Sequence, residues 1–232
     1  MSQIALEAPP RSATHSPALW RVAGGLAIAH VVLLFAGLSQ ERSNVLGAGT
    51  AEARHALVEG SLTRTLAGGY VESFSFVVLL PVLAFLAHAV GTRTAVGRWA
   101  ASTSLIAGVS YVVITLATGM PAGAAAVYGA HHGGDLATAV MVNDARNFAF
   151  YLSLLVLGLQ AAALGVAALS DRFSSRWTGI GGIVVGIVLV AGVAGAGLGL
   201  HDYASMIWMI WLIGVAIALI RNAPTGTVDA RS

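Results

Sequence analysis

Apolar residues in this chain fall into six long blocks that are separated by polar stretches. Each block approaches the roughly 20 residues that an α-helix needs to cross about 30 Å of hydrocarbon. The blocks cover 19–38, 68–90, 99–119, 147–169, 177–199 and 203–220. This pattern predicts an all-α polytopic membrane protein with six transmembrane helices.

The two ends of the chain lie outside the apolar blocks. The first stretch carries Pro9, Pro10 and Pro17 among serines and threonines, with neither a basic start nor an apolar centre. We therefore expect a disordered cytoplasmic tail over 1–18 and not a signal peptide. A second disordered cytoplasmic tail is expected over 222–232, which leaves 19–221 as a single transmembrane domain.

Two loops between the predicted spans are long enough to hold short helices. Residues 51–59 combine alanine with alternating charge, which favours a helix. Leu62 and Leu66 continue the face of Val58, so this piece is expected to be amphipathic and to lie on the membrane surface or cap the bundle. A second short helix is expected over 135–143.

An arginine beside a tryptophan begins each odd-numbered span. The pairs are Trp20-Arg21, Arg98-Trp99 and Arg176-Trp177. They predict three helical hairpins that rise from one membrane face, although such pairs are also typical anchors at the membrane interface.

Charge is scarce, so its position is informative. Only 9% of the residues are charged and 57% are hydrophobic, whereas a soluble domain carries about 25% charged residues. Every cation is an arginine, and their distribution over the loops places both termini in the cytoplasm by the positive-inside rule. The expected inner arginines are Arg11, Arg21, Arg93, Arg98, Arg172, Arg176, Arg221 and Arg231, and the outer ones are Arg42, Arg54, Arg64 and Arg146.

The absent residue types exclude whole chemistries. Without lysine there is no Schiff base and no Walker-A phosphate loop, and without cysteine there is no disulfide or thiolate metal site. A GxSxG motif is also missing, and the scattered arginines lack the clustering that nucleic-acid binding requires. An enzyme is therefore the less favoured interpretation, no nucleic-acid partner is expected, and we assign no catalytic residue.

Polar and aromatic residues gather at the outer ends of the even-numbered spans. Glu72 lies about four positions inside the second span, where an ionised carboxylate is costly and normally faces a cavity or a partner. Its expected partners are Arg64, Arg146 and His201; alternatively, Glu72 lies at the headgroup boundary and is solvated. The residues expected to line a ligand-binding cavity are Tyr70, Glu72, Asp144, Arg146, Asn147, Tyr151, His201 and Tyr203.

These residues give the first functional hypothesis, which is the binding or passage of a small ligand through a polar cavity open to the extracytoplasmic side. A second hypothesis is a non-catalytic membrane subunit or scaffold that joins a larger or homo-oligomeric complex. It rests on small residues at four-residue spacing, which let membrane helices approach closely within one chain or between two. The residues are Gly182, Gly186, Gly195 and Gly199.

A third hypothesis is a membrane enzyme or a metal or haem protein, with no cofactor assigned. Imidazole and carboxylate suit zinc, but the spacing of the outer candidates matches no strong metal motif. They are His131, His132, Asp135, His201 and Asp202. His30 and His88 are the candidates for axial haem ligation, yet their heights in the membrane differ by about 9 Å at 1.5 Å per residue.

The six-helix layout and the Ala/Gly/Val/Arg-rich composition, with a long loop after the first helix, resemble those of an actinobacterial family. Its members are small six-helix integral membrane proteins of unknown function. The resemblance covers most of the chain and includes the segment Asp144-Ala145-Arg146-Asn147-Phe148 before the fourth span. It implies a location in the bacterial cytoplasmic (inner) membrane and contributes no activity, cofactor or functional residue.

Overall fold

The computed structural model describes residues 16–40, 50–171 and 176–223. The described residues form helices and turns, with no strand among them. The helices are α1 (Pro17–Leu38), α2 (Thr50–Leu57), α3 (Leu62–Ala89), α4 (Ala95–Ile114), α5 (Met120–His131), α6 (Leu136–Asp171), α7 (Arg176–Ala194) and α8 (Leu200–Arg221). The predicted all-α fold is confirmed, and most of the two predicted tails lies outside the described residues.

Within the described ranges, six helical stretches are long and apolar enough to cross a membrane. They are α1, α3, the continuous run from α4 to α5, α6, α7 and α8. Each packs against the next one along the chain, and α8 packs against α1, so the spans form a closed ring. The chain is therefore a multi-pass membrane protein built as a helical bundle.

The two ends of the ring differ, and we name them by the residues they carry. The terminal face holds the first residues of α1 and the last residues of α8, together with the turn at 90–94. The cap face holds α2, α5, the beginning of α6 and the turn at 195–199. Because successive helices alternate in direction, this naming places every loop without assuming which face is cytoplasmic.

The helices at the cap face extend further than the apolar blocks indicated. The third span does not end at Gly119, because a π-helical turn over Thr115–Gly119 joins α4 directly to α5. The expected separate helix over 135–143 is instead the first part of α6. Ala95–His131 has 37 residues, or about 55 Å of helix. Hydropathy misses such extensions because a helix that leaves the membrane keeps its backbone hydrogen bonds but loses its apolar composition.

The extensions of α5 and α6 form a small core of their own with α2. Leu57 of α2 is buried in one cluster with Ala126 and Val127 of α5 and Ala139 of α6. Leu62 packs on this cluster, but it begins α3, and Leu66 also belongs to α3, so neither continues a surface helix as expected. This cluster fixes α2 against the two extended helices at the cap face.

The terminal face is closed by hydrogen bonds to one buried carboxylate. Asp171, at the end of α6, accepts the backbone N–H of Thr92 at 2.7 Å and that of Arg93 at 3.0 Å. The turn also requires glycine at position 91, where φ is +80° and an added Cβ would lie 2.4 Å from the carbonyl oxygen of Gly97. The loop between α3 and α4 is thereby tied to the end of α6.

The glycines of α7 serve packing inside the chain. A Cβ added at Gly182 would lie 2.7 Å from the carbonyl oxygen of Ala161, and one at Gly186 would lie 2.5 Å from that of Gly158. Both therefore face α6. Gly195 and Gly199, expected in the same seam, lie instead in the turn after α7, which ends at Ala194. Gly199 has φ +72°, a left-handed conformation that an α-helix cannot continue.

Candidate functional site

The cap-face half of the ring encloses a cavity of about 520 Å³. Its walls come from α1, α3, the α4–α5 junction, α6 and α8, and the turn at 196–199 contributes one edge. Such a volume lies within the range of small-molecule sites. The cavity is the feature of this fold in which polar and apolar side chains from five helices converge.

Three aromatic rings form the floor of the cavity. Phe76 of α3 packs edge to face on Tyr111 of α4 with ring centroids 5.4 Å apart, and Tyr111 packs on Trp208 of α8 at 5.9 Å. All three side chains are buried and line the cavity. His30 of α1 lies behind this floor, fully buried against Phe76 and Trp208, and its Nδ1 donates to the Ser75 carbonyl oxygen at 2.9 Å. We call Phe76, Tyr111 and Trp208 the aromatic floor.

Glu72 lies one helical turn before Phe76 on the same face of α3. Its side chain is only 6% exposed, and it lines the cavity. The Ser75 hydroxyl donates to the Glu72 backbone carbonyl at 2.6 Å. Beside Glu72 the helices α1 and α3 touch, because a Cβ at Gly37 would lie 2.7 Å from the Glu72 backbone nitrogen. The close contact with α1 holds this part of α3 against the cavity.

The opposite wall belongs to α6 and the beginning of α8. Arg146, Asn147 and Tyr151 line it, and the Arg146 side chain lies over Gly123, where an added Cβ would come within 2.8 Å of it. The ring of His201 packs edge to face on Tyr151 at 5.0 Å. Its Nε2 lies 3.4 Å from a carboxylate oxygen of Asp202. This wall therefore presents a guanidinium, an amide, a phenol and an imidazole to the cavity.

Of the residues predicted to bind a ligand, Glu72, Arg146, Asn147, Tyr151 and His201 line this one cavity. Tyr70 and Tyr203 do not, since they are 78% and 67% exposed on the outside of the bundle. Asp144 is half-buried beside the cavity and is not among its lining residues. The helical period explains both tyrosines, because each lies two residues from a cavity-lining side chain, Glu72 or His201, and so points to the other side of its helix.

Arg64, another expected partner of Glu72, has a different contact. Its Nε donates to the Gln40 side-chain oxygen at 2.7 Å on the exposed surface. Arg146 and His201, the remaining candidates, line the cavity together with Glu72. Glu72 is therefore buried in the bundle and is not at a solvated headgroup boundary.

Sequence reasoning missed the aromatic floor as part of the site. Phe76 could have been found from its i, i+4 spacing to Glu72. Trp208 lies in an apolar span with no polar neighbour in its heptad, so nothing in the sequence separates it from the exposed tryptophans Trp99 and Trp177. Gly119, which also lines the cavity, is hidden for the same reason among 28 glycines.

Below the aromatic floor the ring is filled. Leu83, Leu164 and Leu212 are buried there, and the Ser104 hydroxyl donates to the Gln160 carbonyl oxygen at 3.2 Å between α4 and α6. A void of only about 10 Å³ lies near Trp211 at the terminal face. Within the described residues, the cavity thus ends at the floor and does not continue through the bundle.

The metal and haem candidates are engaged elsewhere. His132 stacks on Tyr128 with ring centroids 3.9 Å apart, and the Asp135 carboxylate accepts the Thr138 backbone N–H at 2.9 Å. His88 is exposed and bonds to the Ala84 carbonyl oxygen of its own helix, whereas His30 is buried. In the part of the chain that the structure describes, no three histidine or carboxylate side chains are placed to hold a metal ion.

No protein-family model, curated protein or solved structure matches this chain.

Proposed function

We propose that this membrane protein binds a small ligand in the cap-face cavity. The observation that supports the proposal is the convergence of a buried carboxylate, an arginine and three aromatic rings on one space of about 520 Å³. Ligand sites are typically concave and mainly apolar, with a few convergent polar groups. Charged residues inside a membrane bundle typically mark such sites.

Binding is favoured over passage, because the ring is filled below the aromatic floor. A channel would need a continuous polar path, and the buried leucines 83, 164 and 212 occupy that position. The scaffold alternative has less support, because Gly182 and Gly186 are already packed against α6 and would have to leave it to join another chain.

Gly119 offers a way to fill the cavity without a clash. It is buried and lines the cavity, yet a Cβ added there would meet no neighbouring atom within 4 Å. Its backbone is right-handed helical (φ −64°, ψ −57°), which any residue can adopt. Gly25 is the matched control, because its Cβ would also meet nothing within 4 Å but on the exposed side of α1.

The test compares Gly119→Phe with Gly25→Phe in thermal melts of the purified protein. The probes are choline, benzoate and 3,3-dimethylbutan-1-ol, which are cationic, anionic and neutral. We expect at least one probe to raise the melting temperature of the wild type and of Gly25→Phe but not that of Gly119→Phe. No shift with any probe, or equal shifts in both variants, would contradict a ligand site in this cavity.

We further infer that the protein lies in a bacterial cytoplasmic membrane with both termini in the cytoplasm and the cavity facing out. Support comes from the arginine distribution, since Arg21, Arg93, Arg98, Arg176 and Arg221 lie at the terminal face. Because the chain has no cysteine, Ala51→Cys and Ala95→Cys would each carry a single thiol at opposite faces. An impermeant maleimide should label Ala51→Cys alone in intact cells, and labelling of Ala95→Cys alone would reverse the orientation.

A further inference from the structure

The walls of the cavity also carry information about the charge of its ligand. The aromatic floor provides three rings from three helices, and the electron-rich faces of such rings attract cations. Phe76, Tyr111 and Trp208 are each at most 5% exposed, so their contact with a ligand would be largely free of competing water.

Glu72 adds a negative charge at the same place. It lies one turn from Phe76 on α3 and is within electrostatic range of the Tyr111 side chain. A buried carboxylate beside electron-rich rings is the combination that recognises organic ammonium groups, because the carboxylate supplies the charge and the rings replace the hydration shell.

Other ligand classes fit this floor less well. An anion would meet both the Glu72 carboxylate and the negative ring faces. A neutral apolar molecule would displace water from a carboxylate and return no charge to it, which is costly. Arg146 does not change the preference at the floor, because it lies eight residues before Leu154 on α6, or about 12 Å nearer the cap face.

We propose that the ligand is a compact organic cation, an amine or quaternary ammonium compound. Its cationic head would rest on the aromatic floor beside Glu72, with the rest of the molecule directed toward Arg146 and Asn147. This inference rests on the proposed function, since it concerns the same cavity.

The test measures calorimetric binding of choline and of 3,3-dimethylbutan-1-ol, a neutral molecule of nearly the same shape, to the protein in lipid nanodiscs. Choline should bind the wild type at least tenfold more tightly than the neutral isostere. Glu72→Gln keeps the size of the side chain and should weaken choline binding at least tenfold. Glu52→Gln, which removes the same charge from an exposed position on α2, should leave choline binding unchanged.

A second variant tests the rings independently of the carboxylate. Phe76→Leu keeps an apolar side chain of similar volume and should weaken choline binding several-fold without weakening that of the isostere. Equal binding of choline and the isostere to the wild type, or unchanged choline binding by Glu72→Gln, would overturn the cation assignment.

The failure of this inference can be separated from the failure of the proposed function. If benzoate or the neutral isostere binds and Gly119→Phe abolishes that binding, the cavity is a ligand site but its ligand is not a cation. If choline, benzoate and the isostere all bind wild type and Gly119→Phe alike, both proposals fail together.

Discussion

In the terminal-face half of the bundle, a Cβ added at Gly165 would lie 2.5 Å from the carbonyl oxygen of Gly179. In the cap-face half, a Cβ added at Gly119 would meet no neighbouring atom within 4 Å. Glycine thus permits two backbones to touch in one region and borders open space in the other. The same residue type serves a packed wall and a ligand cavity, and only the positions of neighbouring helices distinguish the two.

The largest effect is expected where the two backbones touch. Gly165→Leu would force α6 away from α7, because the obstacle is a carbonyl oxygen and not a flexible side chain. We expect a loss of at least about 3 kcal/mol in the free energy of unfolding, the upper range for overpacked cores. Stability can be measured by tryptophan fluorescence during denaturation in detergent. Gly25→Leu is the control, and equal stability of the two variants would contradict a close-packed seam.

A smaller loss is expected when the terminal face is released. Asp171→Ala would remove the acceptor shared by the Thr92 and Arg93 backbone N–H groups, at a cost of about 2 kcal/mol. Asp171→Asn keeps one acceptor oxygen and should lose less. Proteolysis of the 90–94 turn reports the change directly, and an unaltered cleavage rate in Asp171→Ala would show that the carboxylate does not hold this loop.

A gain is expected from the smallest substitution at the open position. Gly119→Ala should stabilise the protein by about 0.5–1 kcal/mol, because alanine loses less backbone entropy in a helix and here meets no neighbour. The same change at Gly37, where a Cβ would lie 2.7 Å from the Gly68 carbonyl oxygen, should destabilise it. If both changes shift the melting temperature in the same direction, the difference between the two environments is not real.

The smallest effect concerns pH at the exposed end of α6. The Thr138 backbone N–H and hydroxyl donate to the Asp135 carboxylate and hold its pKa below the ordinary value. Because the folded-state pKa is lowered, the stabilisation is complete above about pH 4 and is lost as the pH falls through the folded-state value. The stability difference between wild type and Asp135→Ala should therefore shrink on acidification, and a difference that grows would have the wrong sign.

The spans could be predicted because membrane insertion depends on composition alone, and six apolar blocks carry that signal. Their extensions could not, since helical residues beyond the membrane have no distinctive hydropathy. Asp135 was a visible start signal for α6, with Thr138 three residues later, but it was assigned to a separate short helix. The π turn at Thr115–Gly119 has no sequence signature at all.

The polar half of the site was predictable for a related reason. Glu72, Arg146 and His201 are rare residues in an apolar background, so their presence near one membrane face indicated a shared location. Tyr70 and Tyr203 were wrongly included because proximity in sequence does not specify the side of a helix. The aromatic floor depends on which spans become neighbours in the ring, and that is a property of tertiary packing.

The π turn has a consequence for mutations that change the length of the chain. One residue fewer between 115 and 119 would restore regular α-helical geometry and turn α5 by about 100° relative to α4. Ala126 and Val127 would then leave Leu57, and the side of the helix that now borders the cavity would change. A single-codon deletion there would thus reshape the cavity and the cap together, whereas most substitutions in the same turn would leave the reading of both intact.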